Sequence, residues 1–181
     1  MDKRLMQISR VITYALRHRP EGLGITLNKA GWVNVGDLLD GLSSHGHQIT
    51  LDELHTIVSQ NDKQRFAFSP DGAMIRANQG HSVGVNLGLK PVPPPVVLYH
   101  GTHVGAVQAI LKSGIKKQSR HDVHLSATRE TATSVGQRHG KPVVLTIDCK
   151  RMYNDGHQFR LSANAVWLTE EVPPQYISVA Q

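Results

Sequence analysis

The sequence predicts an α+β protein built from two lobes, and three observations carry that reading. The stretch Gly88-Leu89-Lys90-Pro91-Val92-Pro93-Pro94-Pro95 interrupts the chain near its middle. Residues ahead of it show helical periodicity punctuated by turn signals, and residues after it read mostly as strands. Consecutive prolines fix φ and remove amide donors, so the interruption is expected to be extended and semi-rigid. The expected domains are 1–87, a linker over 88–95, and 96–181.

The first lobe follows from its periodicity and caps. Leu5, Ile8, Val11, Ile12, Ala15 and Leu16 fall on one face of a helix that Pro20 closes. Ile25-Thr26-Leu27 reads as a short strand. Asn34 caps a helix over Val35–Leu42 with Asp37 in its first turn. Thr50 with Glu53 is a capping box for a helix over Leu51–Gln60. Arg65–Phe68 and Ala73–Arg76 flank Ser69-Pro70-Asp71-Gly72, a hairpin turn. Helix, strand, two helices and hairpin is the order of a winged helix, a fold that often binds nucleic acid without proving that it does. In the second lobe Val96–Thr102, Val123–Ser126, Val143–Asp148, Ala165–Thr169 and Ile177–Val179 read as strands, with helices around Val104–Lys112 and Arg129–Arg138. No GxGxxG or GxxxxGK[ST] stretch indicates a Rossmann fold or a P-loop.

Composition narrows the function classes. The net charge of +6 favours a polyanionic partner, yet the excess is spread along the chain: ten Lys/Arg against eight Asp/Glu in residues 1–90, and ten against six in 91–181. Specific placement, rather than a basic tail, must do the binding. One cysteine, Cys149, leaves no internal disulfide and no Cys-rich zinc site, and fits a reducing cytoplasm. No apolar run approaches the roughly 20 residues that span a bilayer, so no membrane partner is expected. The basic, amphipathic first residues resemble a transit peptide; a first structural helix explains them better, because the reactive residue types sit at its end. Nothing demands more than a monomer.

Arginine and histidine are the residues with chemistry to offer. Leu16-Arg17-His18-Arg19-Pro20 places two guanidinium groups and an imidazole at a helix C-terminus, where cations also simply complement the dipole. Lys63 and Arg65 lie at the entry to the hairpin, and Arg138-His139-Gly140-Lys141 ends a helix; each has a plain structural explanation on its own. In the second lobe His100-Gly101-Thr102 and His124-Leu125-Ser126 repeat a pattern in which a His and a hydroxyl share one face of a strand. Such a pair suits a ribose diol or acid/base work. His100/His103 and His121/His124 are three apart, which turns strand residues to opposite faces, and no carboxylate or cysteine completes a metal shell. No metal is expected.

Taken together the motifs resemble the RNA 2′-phosphotransferase family. The matching stretches in the first half are Leu16-Arg17-His18, Gly31-Trp32, Asp62-Lys63-Gln64-Arg65-Phe66 and Ile75-Arg76-Ala77-Asn78-Gln79-Gly80-His81-Ser82. Those in the second are Leu98-Tyr99-His100-Gly101-Thr102, Val123-His124-Leu125-Ser126, the run from Val135 to Leu145, and Ala165-Val166-Trp167-Leu168-Thr169. They occur in order over nearly the whole chain. The resemblance implies a winged-helix RNA lobe followed by an ADP-ribosyltransferase-like mixed α/β lobe that binds NAD as co-substrate. It implies that Arg17, His18, Arg65 and Arg138 are catalytic, that Lys63 contacts RNA phosphate, and that His100, Gly101, Thr102, His124 and Ser126 contact NAD. The implied partner is an RNA bearing an internal 2′-phosphate, tRNA-like in kind.

The physics suits that set. A phosphate is already a nucleophile, so the protein needs no activated Ser or Cys; it must hold the phosphate in line and neutralise charge, work for planar Arg forks. Two rivals stay open on sequence alone. One is a metal-free phosphoesterase using His100 and His124, which leaves the N-terminal arginines unused. The other is a non-catalytic nucleic-acid-binding protein, which leaves the second lobe unexplained.

Overall fold

The computed structural model describes residues 1–180. The chain divides after Gly88 into a first unit, Met1–Gly88, and a second that begins at Leu89. Each has its own hydrophobic core.

The first unit opens with α1, Lys3–Arg17, capped by the Asp2 carboxylate, which accepts from Leu5 N at 2.8 Å. Leu5, Ile8, Ile12, Ala15 and Leu16 recur at three- and four-residue spacing and are buried, as the amphipathic stripe requires. A 3-10 turn at Pro20–Leu23 ends in left-handed Gly24. Next come β1 (Val33–Asn34), α2 (Val35–Ser44) and α3 (Leu51–Ser59). Asn34 caps α2, and Thr50 and Glu53 form the capping box of α3. The unit closes with the hairpin β2 (Phe66–Phe68) and β3 (Met74–Ala77). The sheet order is β1-β3-β2, both pairs antiparallel. Ile25-Thr26-Leu27, expected as a strand, is irregular chain. Ile25 N donates to Pro20 O at 3.2 Å and its side chain fills the core, while Val33–Asn34 takes the place beside β3.

The second unit contains β4 (Val97–His103), α4 (Val104–Ser113), β5 (Ile115–Lys116), β6 (Val123–Leu125) and α5 (Arg129–Gly136). It continues through β7 (Pro142–Asp148), α6 (Cys149–Asn154), β8 (Arg160–Leu161), β9 (Trp167–Thr169), β10 (Glu171–Val172) and β11 (Ile177–Val179). Three small sheets result, ordered β11-β7-β4, β6-β9-β8 and β10-β5, every pair antiparallel. Leu98, Leu125, Leu145, Ile147 and Phe159 form the centre of the core. The proline stretch lies along this unit: Pro91 bridges Arg160 and Val92 N donates to Phe159 O at 2.8 Å.

The helix expected over Arg129–Arg138 stops at Gly136, and Gln137–His139 tightens into a 3-10 turn before Gly140 and Pro142. The strand expected from Ala165 starts at Trp167, because Ala165 sits at φ +60 in a turn whose amide donates to Ser162 O at 3.0 Å. Among the described residues no helix is long and apolar enough to cross a membrane.

Candidate active site

In the first unit Arg17 is the last residue of α1 and His18 its C-cap. The loop Gly80-His81-Ser82 folds over this terminus. Ser82 N donates to the Arg17 carbonyl at 2.9 Å, and Ser82 Oγ lies 2.9 Å from His18 Nδ1. Gly80, at φ +89, lies flat against the Arg17 guanidinium; a Cβ there would stand 3.3 Å from Cζ. Arg17 is 8% exposed. A buried guanidinium with Gly80 packed against it, beside an imidazole anchored by Ser82 at a helix end, is a preorganised cationic group.

Arg65 lies at the other side of the sequence motif, just ahead of β2. It is half-buried, and burial pulls its guanidinium below the usual range. Arg10 on α1 pushes the same way and Asp62 opposes both. Lys63, two residues earlier, is exposed. Thus Arg17, His18, Lys63 and Arg65 all belong to the first unit. The Trp32 and Arg76 motif residues support the scaffold: the Arg76 guanidinium stacks 4.5 Å from the Trp32 ring centroid and donates to Ala30 O at 3.3 Å.

The second unit carries His100, Gly101, Thr102, His124, Ser126 and Arg138. Here β4 and β6 touch through one bridge, Tyr99 opposite Ser126, with both backbone hydrogen bonds made at 2.9 and 2.8 Å. The next rung of such a ladder would join Gly101 to His124. Among the described residues no backbone hydrogen bond does so; His100 Nδ1–H reaches across and donates to the His124 carbonyl at 3.1 Å. The strands part at this point, and the alternation of β4 turns the N–H and C=O of Gly101 toward the parting. The register also sorts the two His-x-hydroxyl pairs: His124 and Ser126 share a face with Tyr99 and Gly101, while His100 and Thr102 lie on the other.

Both imidazoles have assigned polarity. Burial lowers the pKa of His100, with the bond to the His124 carbonyl partly opposing it. Neutral His100 therefore donates through Nδ1 and keeps Nε2 as an acceptor. Arg120 Nη1 lies 2.8 Å from His124 Nδ1. A guanidinium can only donate, so Nδ1 of His124 accepts and its proton sits on Nε2. The Arg129 guanidinium lies 5.6 Å from the Tyr99 ring centroid on the same face.

Glycine permits the close approach of α5 to β4. A Cβ on Gly101 would stand 1.7 Å from Ala132 O, and one on Gly136 2.4 Å from Thr102 O. The Gln137–His139 turn that carries Arg138 is thereby held against β4. Sequence reasoning assigned no role to Arg120, Ser82, Asn61 or Asn78. Ser82 lay inside a quoted motif, but only the fold reveals its bond to His18.

A family model described as RNA 2′-phosphotransferase, Tpt1/KptA family, matches residues 3–171. The chain is 51% identical over 174 residues, 96% of each chain, to a probable RNA 2′-phosphotransferase of Trichormus variabilis. It is 50% identical over 169 residues to a protein of the same description from Burkholderia pseudomallei, covering 93% of this chain and 92% of that one. The counterpart from Acaryochloris marina is 47% identical over 176 residues, 97% of each. The chain belongs to the RNA 2′-phosphotransferase family, a family of enzymes.

Proposed function

We propose that this protein removes a 2′-phosphate from RNA in an NAD-dependent transfer, with the first unit acting as a winged-helix RNA lobe and the second as an ADP-ribosyltransferase-like NAD lobe. The observation that carries the proposal is the pairing of two kinds of cationic and hydrogen-bonding site on one chain of this family. One is the clamped Arg17–His18 terminus, suited to a phosphate dianion. The other is the parting of β4 and β6 at His100 and Gly101. That parting offers a backbone donor and acceptor at Gly101 and an acceptor at His100 Nε2, which match a carboxamide and a ribose hydroxyl.

In the first step a 2′-phosphate oxygen attacks the anomeric carbon of the nicotinamide ribose, and neutral nicotinamide leaves with the bonding pair. The Arg forks align the phosphate and offset its charge. In the second step the adjacent ribose hydroxyl attacks phosphorus and the RNA 2′-oxygen departs, taking a proton. The products are 2′-OH RNA, nicotinamide and ADP-ribose 1″,2″-cyclic phosphate. Arg65 and Arg138 stabilise the charge that accumulates on the phosphoryl oxygens, and His18, anchored by Ser82, holds or passes a proton. Incubation with NAD and an RNA carrying one internal 2′-phosphate tests the proposal. Those three products support it, and phosphate release without NAD overturns it in favour of the phosphoesterase. The reaction takes place in the cytoplasm on a monomeric enzyme.

A further inference from the structure

The turn ahead of Arg65 holds an unusual residue. Gln64 is exposed, is not a glycine, and has φ +43, in the left-handed region that L-residues other than Asn and Asp rarely enter. Such a conformation persists only where its surroundings impose it, and it clusters at functional sites. Two buried asparagines impose it here. Asn61, 4% exposed, accepts from Gln64 N through its backbone carbonyl at 2.8 Å. Its side-chain Oδ1 accepts from Lys63 N at 3.2 Å and Arg65 N at 3.4 Å. Its Nδ2 donates to the buried Ser9 Oγ on α1 at 3.3 Å. Asn78, 7% exposed, donates Nδ2–H to the Gln64 carbonyl at 2.6 Å and its backbone N–H to the Arg65 carbonyl at 2.8 Å.

We propose that Asn61 and Asn78 are positioning residues for Arg65, acting through Gln64: together they hold the left-handed turn that aims the Arg65 guanidinium and tie it to the helix that ends in Arg17 and His18. The proposal rests on the reading of Arg65 as catalytic. The physical reason lies in the chain direction. With Gln64 extended, Lys63-Gln64-Arg65 would run straight into β2 and strand alternation would set the direction of Arg65. A left-handed residue places a sharp turn one residue before the guanidinium, so its aim depends on the backbone angles of Gln64. The three amides and two carbonyls around that residue are the handles by which the asparagines fix it. Asn61 in turn grips α1 at Ser9, eight residues before Arg17, so the turn and the helix move as one body.

The experiment compares Asn78→Ala, Asn61→Ala, Gln64→Val and Arg65→Ala in the full chain, with and without Gln64→Gly where position 64 is free to change. Steady-state kinetics, the level of ADP-ribosylated RNA intermediate, and the thermal midpoint are measured below the melting range. Asn78→Ala and Gln64→Val are expected to lower kcat about tenfold or more, since misplacement by an ångström is costly. KM for NAD should stay unchanged and the intermediate should accumulate as in Arg65→Ala. Gln64→Gly, which enters the left-handed region without strain, should restore at least threefold of the kcat lost in Asn78→Ala. Gln64→Val lies on the surface and reads the turn without opening the core. Wild-type kcat in Asn78→Ala and Gln64→Val beside an inactive Arg65→Ala overturns this inference alone. A fully active Arg65→Ala overturns the catalytic reading of Arg65 and this inference with it. Loss of kcat that tracks the thermal midpoint and is not rescued by Gln64→Gly also overturns it.

Discussion

Gly101→Ala is the substitution whose cost the structure defines most sharply. The new Cβ would stand 1.7 Å from Ala132 O, 2.6 Å from Ala132 C and 2.9 Å from Gly136 N. All three are backbone atoms of α5, so no side chain can swing aside. Restoring an ordinary contact of 3.4 Å to the carbonyl oxygen requires the helix to retreat by the difference, about 1.7 Å. Overpacking of this kind costs about 1–3 kcal/mol, which in a unit of this size lowers the melting midpoint by roughly 5–20 °C. The displaced helix leads directly into the turn that carries Arg138. Activity should therefore fall about a hundredfold even where the protein stays folded, as for a catalytic group misplaced by an ångström or more. Differential scanning calorimetry and single-turnover rates measure both effects. Gly84→Ala is the control, since its Cβ meets nothing within 4 Å and is expected to be neutral. A Gly101→Ala protein with the wild-type midpoint and rate would refute the claim that this glycine sets the β4–α5 distance.

Three other outcomes are expected. Arg65→Ala and Arg138→Ala should each slow transesterification more than ADP-ribosylation, by about a hundredfold (~3 kcal/mol), because charge builds on phosphorus only in the second step. Arg→Lys should recover only part, keeping charge but losing the fork; equal slowing of both steps on a quenched gel time course contradicts this. Ser82→Ala should lower kcat several-fold by removing the hydrogen bond between Ser82 Oγ and His18 Nδ1, with the thermal midpoint within a few degrees of wild type; unchanged kcat sinks the anchoring role. His100 has its pKa lowered by folding, so its contribution to stability is full above the ordinary imidazole value of 6.5 and is lost as pH falls through the lowered one. Wild type should lose stability relative to His100→Asn in that acidic window, and parallel pH–stability curves for the two would rule it out.

Caps and turns were legible because they are local. The Thr50–Glu53 box, the Asn34 cap and the Ser69–Gly72 turn all stand where side-chain chemistry set them. Pairing was less legible. Ile25-Thr26-Leu27 has strand propensity but is used for core packing, while Val33–Asn34, only two residues long, wins the place beside β3. α6 was missed because Asp148, read as the end of a strand, is also a helix cap that accepts from Arg151 N at 3.0 Å. Residue types singled out Arg17, His18, Arg65, His100 and His124 as candidates, but the polarity of the imidazoles depends on long-range partners. The bond from His100 to the His124 carbonyl spans 24 positions and that from His18 to Ser82 spans 64, so no window of sequence contains either.

The proposed reaction uses NAD to lift a 2′-phosphate from RNA without an activated nucleophile. The most direct measurement is a quenched time course with NAD and an RNA bearing a single internal 2′-phosphate, labelled at that phosphate, with chelator present. Label is expected to pass from RNA through a transient ADP-ribosylated RNA to ADP-ribose 1″,2″-cyclic phosphate, with one nicotinamide released per phosphate moved. Label appearing as inorganic phosphate without NAD, or turnover abolished by the chelator and restored by a divalent ion, would contradict it.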